Sequence, residues 1–162
     1  MEMNLMDQAL LLRKEGHLKE SNEMLIQLAE HEPDNPMVNY QCAWSFDVMG
    51  KESEAVPYYT RAISLGLQDE ALEGALLGLG STYRTLGQYE KSKEILTKGI
   101  EQFPNNRAIQ VFYALTLYNL NEHHRAMEIL LRNLVETTVD TNILEYKKAL
   151  EFYSDKLDEV WK

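Results

Sequence analysis

Clustered positive charge is missing from this chain. Its 16 lysines and arginines are scattered among 26 acidic residues, leaving a net charge of −10. Phosphate backbones are bound by concentrated cationic faces, so no nucleic-acid partner is expected. Cysteine is nearly absent. Cys42 stands alone, which excludes an internal disulfide and fits a reducing compartment. No apolar run approaches the roughly 18 residues of a membrane span. Met1 to Lys14 lack the basic stretch, apolar run and small-residue cleavage site of a secretory signal. The expectation is a soluble, cytoplasmic protein with no membrane partner.

Catalytic and cofactor signatures are missing too. Gly74-Ala75-Leu76-Leu77-Gly78-Leu79-Gly80 lacks the Lys-Ser/Thr ending and the preceding strand of a phosphate loop. His123 and His124 are adjacent, so on a helix they diverge, and no Cys or further His stands at ligand spacing. Carboxylate pairs such as Asp69-Glu70 and Asp158-Glu159 reflect the acidic composition and have no evident acid/base partner. Cys42 lies beside Ala43 on an inward helix phase and reads as a buried, inert thiol. No enzyme, metal or cofactor is expected. Strand signals are absent as well, since no alternating run is bounded by turn dipeptides.

What the chain does have is a repeated turn. Gly16, Gly50, Gly87 and Asn121 are separated by 34, 37 and 34 residues. Gly and Asn are the residues that take the left-handed conformation ending a helix. Five residues after each turn stands a small side chain: Ser21, Ala55, Ser92 and Ala126. Seven before each stands another: Ala9, Ala43, Gly80 and Ala114. Small residues at these phases let paired helices approach closely. Both flanks of each turn have helical apolar spacing. Loop chemistry separates the units: His31-Glu32-Pro33-Asp34-Asn35-Pro36 after the first and Phe103-Pro104-Asn105-Asn106 after the third. Proline stops the outgoing helix there, and Asp or Asn caps the incoming one. Gly66 to Leu72 is expected to absorb the three extra residues between the second and third units.

Gly80 to Tyr83, Leu86-Gly87-Gln88-Tyr89-Glu90, the Asn-Asn after Phe103-Pro104 and the 34-residue period resemble the tetratricopeptide repeat. The arrangement is also similar to small bacterial members of that family. The resemblance implies an all-α fold: a right-handed α-solenoid of four helix-turn-helix repeats plus a C-terminal capping helix. It implies one domain over 1–162, with repeats at about 2–35, 36–69, 73–106 and 107–140 and the cap at about 142–161. Leu5, Asn39, Leu76 and Gln110 stand where family repeats usually have an aromatic. In the cap, Ile143, Tyr146, Leu150, Tyr153, Leu157 and Val160 form one apolar stripe. Asn142 and Glu145 are its expected capping pair, and the helix is expected to cover the open face of the last repeat.

In such a solenoid the first helix of each repeat lines the concave face. The stripe lies 13, 10, 6, 3 and 2 residues before each turn. The expected peptide- or protein-binding groove comprises Met37, Tyr40, Trp44, Gly74, Leu77, Ser81, Arg84, Val111, Leu115 and Tyr118. It is unusually apolar, with Tyr40 and Trp44 as anchors. The competing reading is that curvature buries part of this stripe between repeats. Gly74 and Gly78 have no packing reason of their own. They clear space either for a ligand backbone or for a neighbouring repeat. Arg13, Lys14 and Arg84 read as solvated charges, with an acidic partner as the alternative. One class of the family docks chaperone C-terminal carboxylates through cations at stations held here by Met6, Leu10, Tyr40, Trp44, Leu77 and Ser81. None of these is cationic, so that docking is not expected. The function implied is a protein-interaction scaffold whose groove takes a peptide or helix. Self-assembly through the same groove into a homodimer, or peptide sensing on behalf of a separate regulator, are the alternatives.

Overall fold

The computed structural model describes residues 3–162, so Glu2, the first residue of the expected first repeat, lies outside them. Those residues form helices and no strand. Their contacts fall into two compact units, one ending at Ile95 and one spanning Leu96–Lys162. The first contains α1 (Leu5–Lys14), α2 (Leu18–His31), α3 (Pro36–Asp47), α4 (Glu52–Ser64) and α5 (Asp69–Thr85). The boundary falls within α6 (Tyr89–Gln102). The second unit continues with α7 (Arg107–Asn119), α8 (His123–Thr137), α9 (Thr141–Glu145) and α10 (Lys147–Tyr153).

Each helix-turn-helix closes in the same way. Gly16, Gly50, Gly87 and Asn121 have φ values of +88, +69, +72 and +63°. The amide just beyond each donates to the carbonyl five residues back. These are His17 to Leu12 at 2.8 Å, Lys51 to Phe46 at 3.0 Å, Gln88 to Tyr83 at 2.8 Å and Glu122 to Leu117 at 2.9 Å. Left-handed closure of this kind satisfies carbonyls that the helix end leaves open. Asn121 therefore serves as the stand-in for glycine that its position implies.

The small residues meet where the paired helices cross. Ala9, Ala43 and Ala114 are fully buried, and so are Ser21, Ala55 and Ser92. The Ser21 hydroxyl donates to the Ala9 carbonyl at 2.7 Å, and the Ser92 hydroxyl donates to the Gly80 carbonyl at 2.7 Å. A buried hydroxyl needs a partner, and here it finds one on the facing helix. The other two pairs use alanine on both sides and bury nothing polar. Two of the positions lacking an aromatic carry amides that hold the preceding loop. Asn39 Nδ2 donates to the Pro33 carbonyl at 3.0 Å, and Gln110 Nε2 to the Pro104 carbonyl at 2.8 Å. Asn35 and Asn106 cap α3 and α7, as expected for residues after a proline stop.

Two expectations change. The first helix of the third repeat starts ahead of the expected bound at about 73, because α5 begins at Asp69, within the Gly66 to Leu72 stretch, and runs 17 residues. Asp69 and Glu70 occupy its first turn, where carboxylates complement the helix dipole. The C-terminal stretch is not one helix over 142–161. Asp140, not Asn142, caps α9 by accepting from the Ile143 amide at 3.0 Å. The helix breaks at Tyr146, and α10, packed on α8, ends at Tyr153. Continuing it would place Asp155, Asp158 and Glu159 at a helix C-terminus, where carboxylates are unfavourable. Trp161 instead lies against Phe152 and Tyr153, with ring centroids 5.9 and 5.4 Å apart. Val160, on the expected stripe, is 83% exposed.

The core of the first unit gathers Leu25, Val38, Cys42, Phe46, Tyr59 and Leu79 around the alanines. The second unit buries Leu96, Ile109, Tyr113, Leu117 and Val135. A Cβ at Gly78 would lie 2.5 Å from the Tyr59 hydroxyl oxygen and 2.6 Å from Cζ. Tyr59 is 2% exposed, and its hydroxyl is tied to Asp47. Gly78→Ala gains helix propensity of about 1 kcal/mol but overpacks the site at a cost of about 1–3 kcal/mol. Equilibrium urea unfolding is expected to show net destabilisation. A more stable variant would show that Tyr59 can move.

Candidate functional site

Tyr40 and Trp44 lie one turn apart on α3. Their rings stack with centroids 6.0 Å apart and planes at 27°. Trp44 is 41% exposed, although the stack and an arginine hold it. Arg13, from the end of α1, places its guanidinium carbon 4.1 Å from the centre of the Trp44 ring. Its Nη2 donates to Gln41 Oε1 at 2.6 Å. Gln41 Nε2 in turn lies 3.9 Å from the Met37 sulfur. Nη1 of Arg13 is buried and makes no hydrogen bond. Burial pulls the guanidinium pKa below its ordinary value. Arg13 is therefore not the solvated charge expected of it. An exposed arginine keeps water on its face, whereas this one has exchanged part of that water for an indole ring.

Behind this surface lies a second tyrosine. The Tyr40 and Tyr59 rings are 6.3 Å apart at 45°. Tyr59 donates its hydroxyl to Asp47 Oδ2 at 2.9 Å. Burial raises the Asp47 pKa, and the bond from Tyr59 works against that rise. Burial raises both tyrosine hydroxyls as well. Gly74 fits into this arrangement. A side chain there would collide with the Tyr40 hydroxyl. The clearance is filled by the chain's own tyrosine and not by a ligand backbone. Gly74 and Gly78, one turn apart on α5, thus accommodate Tyr40 and Tyr59 in turn.

None of the ten expected groove positions is buried. Tyr40, Trp44 and Gly74 are brought together, and Met37 joins them through Gln41. Met37 also lines a cleft of about 560 Å³ with Leu5, Met6, Leu28 and Val38. Leu77, Ser81 and Arg84 are half-buried along α5. In the second unit Val111 and Leu115 are half-buried on α7, and Tyr118 is 62% exposed with its ring 4.7 Å from that of His123.

The Tetratrico peptide repeat family profile matches residues 36–157. The chain belongs to the tetratricopeptide repeat family. Its helix pairs build the α-solenoid of that family. MamA from Desulfovibrio magneticus RS-1 superposes with a TM-score of 0.73 at 18% identity, covering 95% of this chain and 84% of that one. YrrB, described as a TPR protein with an unusual peptide-binding site, superposes with a TM-score of 0.72 at 15% identity, covering 96% and 78%. At these identities the likeness is one of fold. Superkiller protein 3 of Saccharomyces cerevisiae is 27% identical over 94 residues, 54% of this chain. The chain spans only 6% of that relative's length.

The remaining polar candidates of this tetratricopeptide protein have individual explanations. His123 meets Tyr118, and His124 Nε2 lies 3.0 Å from Asp158 Oδ2. Among the described residues no cluster of His, Cys, Asp or Glu is arranged to hold a metal. None of their helices is long and apolar enough to cross a membrane. Cys42 is buried, and burial pushes its thiol up to about 12. Sequence reasoning missed Tyr59, Gln41 and the engaged state of Arg13. The glycine pair was the available signal for the tyrosines, because two glycines one turn apart imply two large side chains facing them.

A raised Asp47 pKa means that the folded protein holds this proton more tightly than the unfolded chain. Its contribution to stability is present at low pH. It is lost as pH rises from the ordinary aspartate range through the folded value. Asp47→Asn can still accept the Tyr59 bond without a charge. The variant is expected to gain stability relative to the native protein across that window, with the smallest difference on the acid side. Urea unfolding over a pH series checks this, and a pH-independent difference would remove the assignment.

Proposed function

We propose that this chain is a non-catalytic protein-interaction module inside the cell. It holds a peptide or helix of a partner protein against the Tyr40–Trp44 surface. The observation that carries the reading is Trp44. It is a large indole left 41% exposed, yet fixed by Tyr40 on one side and Arg13 on the other. Rigid aromatic anchors of this kind supply contact area at small entropic cost and dominate interface energetics. Met37 and its cleft provide adaptable apolar volume beside them. Leu77, Ser81 and Arg84 extend the surface along α5. Val111, Leu115 and Tyr118 give the second unit an apolar patch of its own.

Truncating an anchor at such a site typically costs 2 kcal/mol or more, roughly 30-fold in affinity. Trp44→Ala and Tyr40→Ala are each expected to weaken a purified partner by at least this order while keeping the native helical circular dichroism. Titration calorimetry with a partner recovered by the native protein measures it. Two folded variants with undiminished affinity would place the site elsewhere. Sedimentation over a concentration series identifies a second copy of the chain as occupant if the protein self-associates.

A further inference from the structure

The chemistry of the partner can be taken further, resting on the binding reading above. The stripe positions before the first three turns carry Arg13, Lys14 and Arg84 and one acid, Asp47, in a chain whose net charge is −10. Asp47 is occupied by the Tyr59 hydroxyl. Arg13 and Lys14 stand side by side as the basic residues of the last turn of α1. Among the described residues Arg13 is held by an amide and an indole and pairs with no carboxylate. One of its amino groups is covered and unbonded.

We propose that Arg13 reads a carboxylate. The partner segment would carry an Asp or Glu next to an aromatic or aliphatic side chain. The carboxylate pairs with the guanidinium, and its apolar neighbour seats against Trp44 and the Met37 cleft. Guanidinium matches carboxylate geometry in a way that a neutral donor does not. Gln41 and Trp44 already fix this side chain, so little freedom remains to be lost on binding. Trp44 lies over the guanidinium face and is itself exposed. Nη1 has an unmet hydrogen bond to make.

The test uses the full chain and a library of phage-displayed random dodecapeptides. Selected peptides are expected to be enriched in Asp or Glu flanked by aromatic or aliphatic residues. The best binder is then synthesised together with its Gln or Asn counterpart. On the native protein the acidic peptide should bind about tenfold tighter, with the advantage shrinking as salt is raised. Arg13→Gln should abolish that advantage while leaving the amide peptide unchanged, and Arg13→Lys should retain part of it. Binders without acid enrichment, or equal binding of the two synthetic peptides, would overturn the proposal and leave the aromatic site standing. Equal weakening of both peptides by Arg13→Gln would make Arg13 a packing residue and also overturn it. Failure to select any peptide that Trp44→Ala weakens would remove the binding surface itself, and this proposal with it. Self-association lost in Trp44→Ala, with no acid selected, would give the surface to a second copy and overturn an acidic partner.

Discussion

Close approach of paired helices is the constraint on which the rest of this protein depends. At each crossing one helix offers a small residue to another, as Ala9 does to Ser21 and Gly80 to Ser92. Nothing larger fits without separating the pair. With the helices so near, the connecting turn must reverse within a few residues, and this demands a left-handed residue at positions 16, 50, 87 and 121. The spacing of the first helices, and hence what stands on their exposed faces, follows from that reversal. A serine at the crossing adds a second requirement, since its hydroxyl must find a carbonyl on the facing helix. The first and third pairs meet it, while the second and fourth avoid it by using alanine.

The aromatic surface depends on the same economy of space. Two tyrosines from the second repeat project toward α5, and α5 answers with two glycines. The helix gives up propensity there, and in return one tyrosine is buried with its hydroxyl on Asp47 while the other supports an exposed tryptophan. The rigidity of the surface is thus set in the interior. Arg13 completes it from α1, so the face is assembled from elements far apart in the chain.

Much of the fold was legible in the sequence because it is periodic. Phase agreement at the turns and crossings constrains four helix pairs at once, and a single substitution such as Asn121 for glycine does not hide it. What was not legible is aperiodic. The C-terminal stripe has correct helical spacing, but Asp155, Asp158 and Glu159 sit at the wrong end of the helix it implies. The stretch Gly66 to Leu72 was readable as the place of the extra residues, but the start of α5 inside it, with its acidic first turn, was not. At the candidate site the anchors Tyr40 and Trp44 stood at readable stripe positions. The environment of Arg13 did not, since its partners Gln41 and Trp44 lie in the next repeat. The glycines announced that something large was near them without saying whether it came from outside or inside.

The pairing of Gly74 with Tyr40 also bears on how this surface diversifies over evolutionary time. A position that merely lines a groove can drift one residue at a time as partners change. Position 40 cannot, because its hydroxyl rests in a notch that exists only while position 74 has no side chain. Losing the tyrosine leaves the notch empty, and filling the notch first expels the tyrosine. Either path passes through a poorly packed intermediate. Relatives should therefore keep both residues or have changed both, and the two positions record a lineage's binding habit as a linked pair.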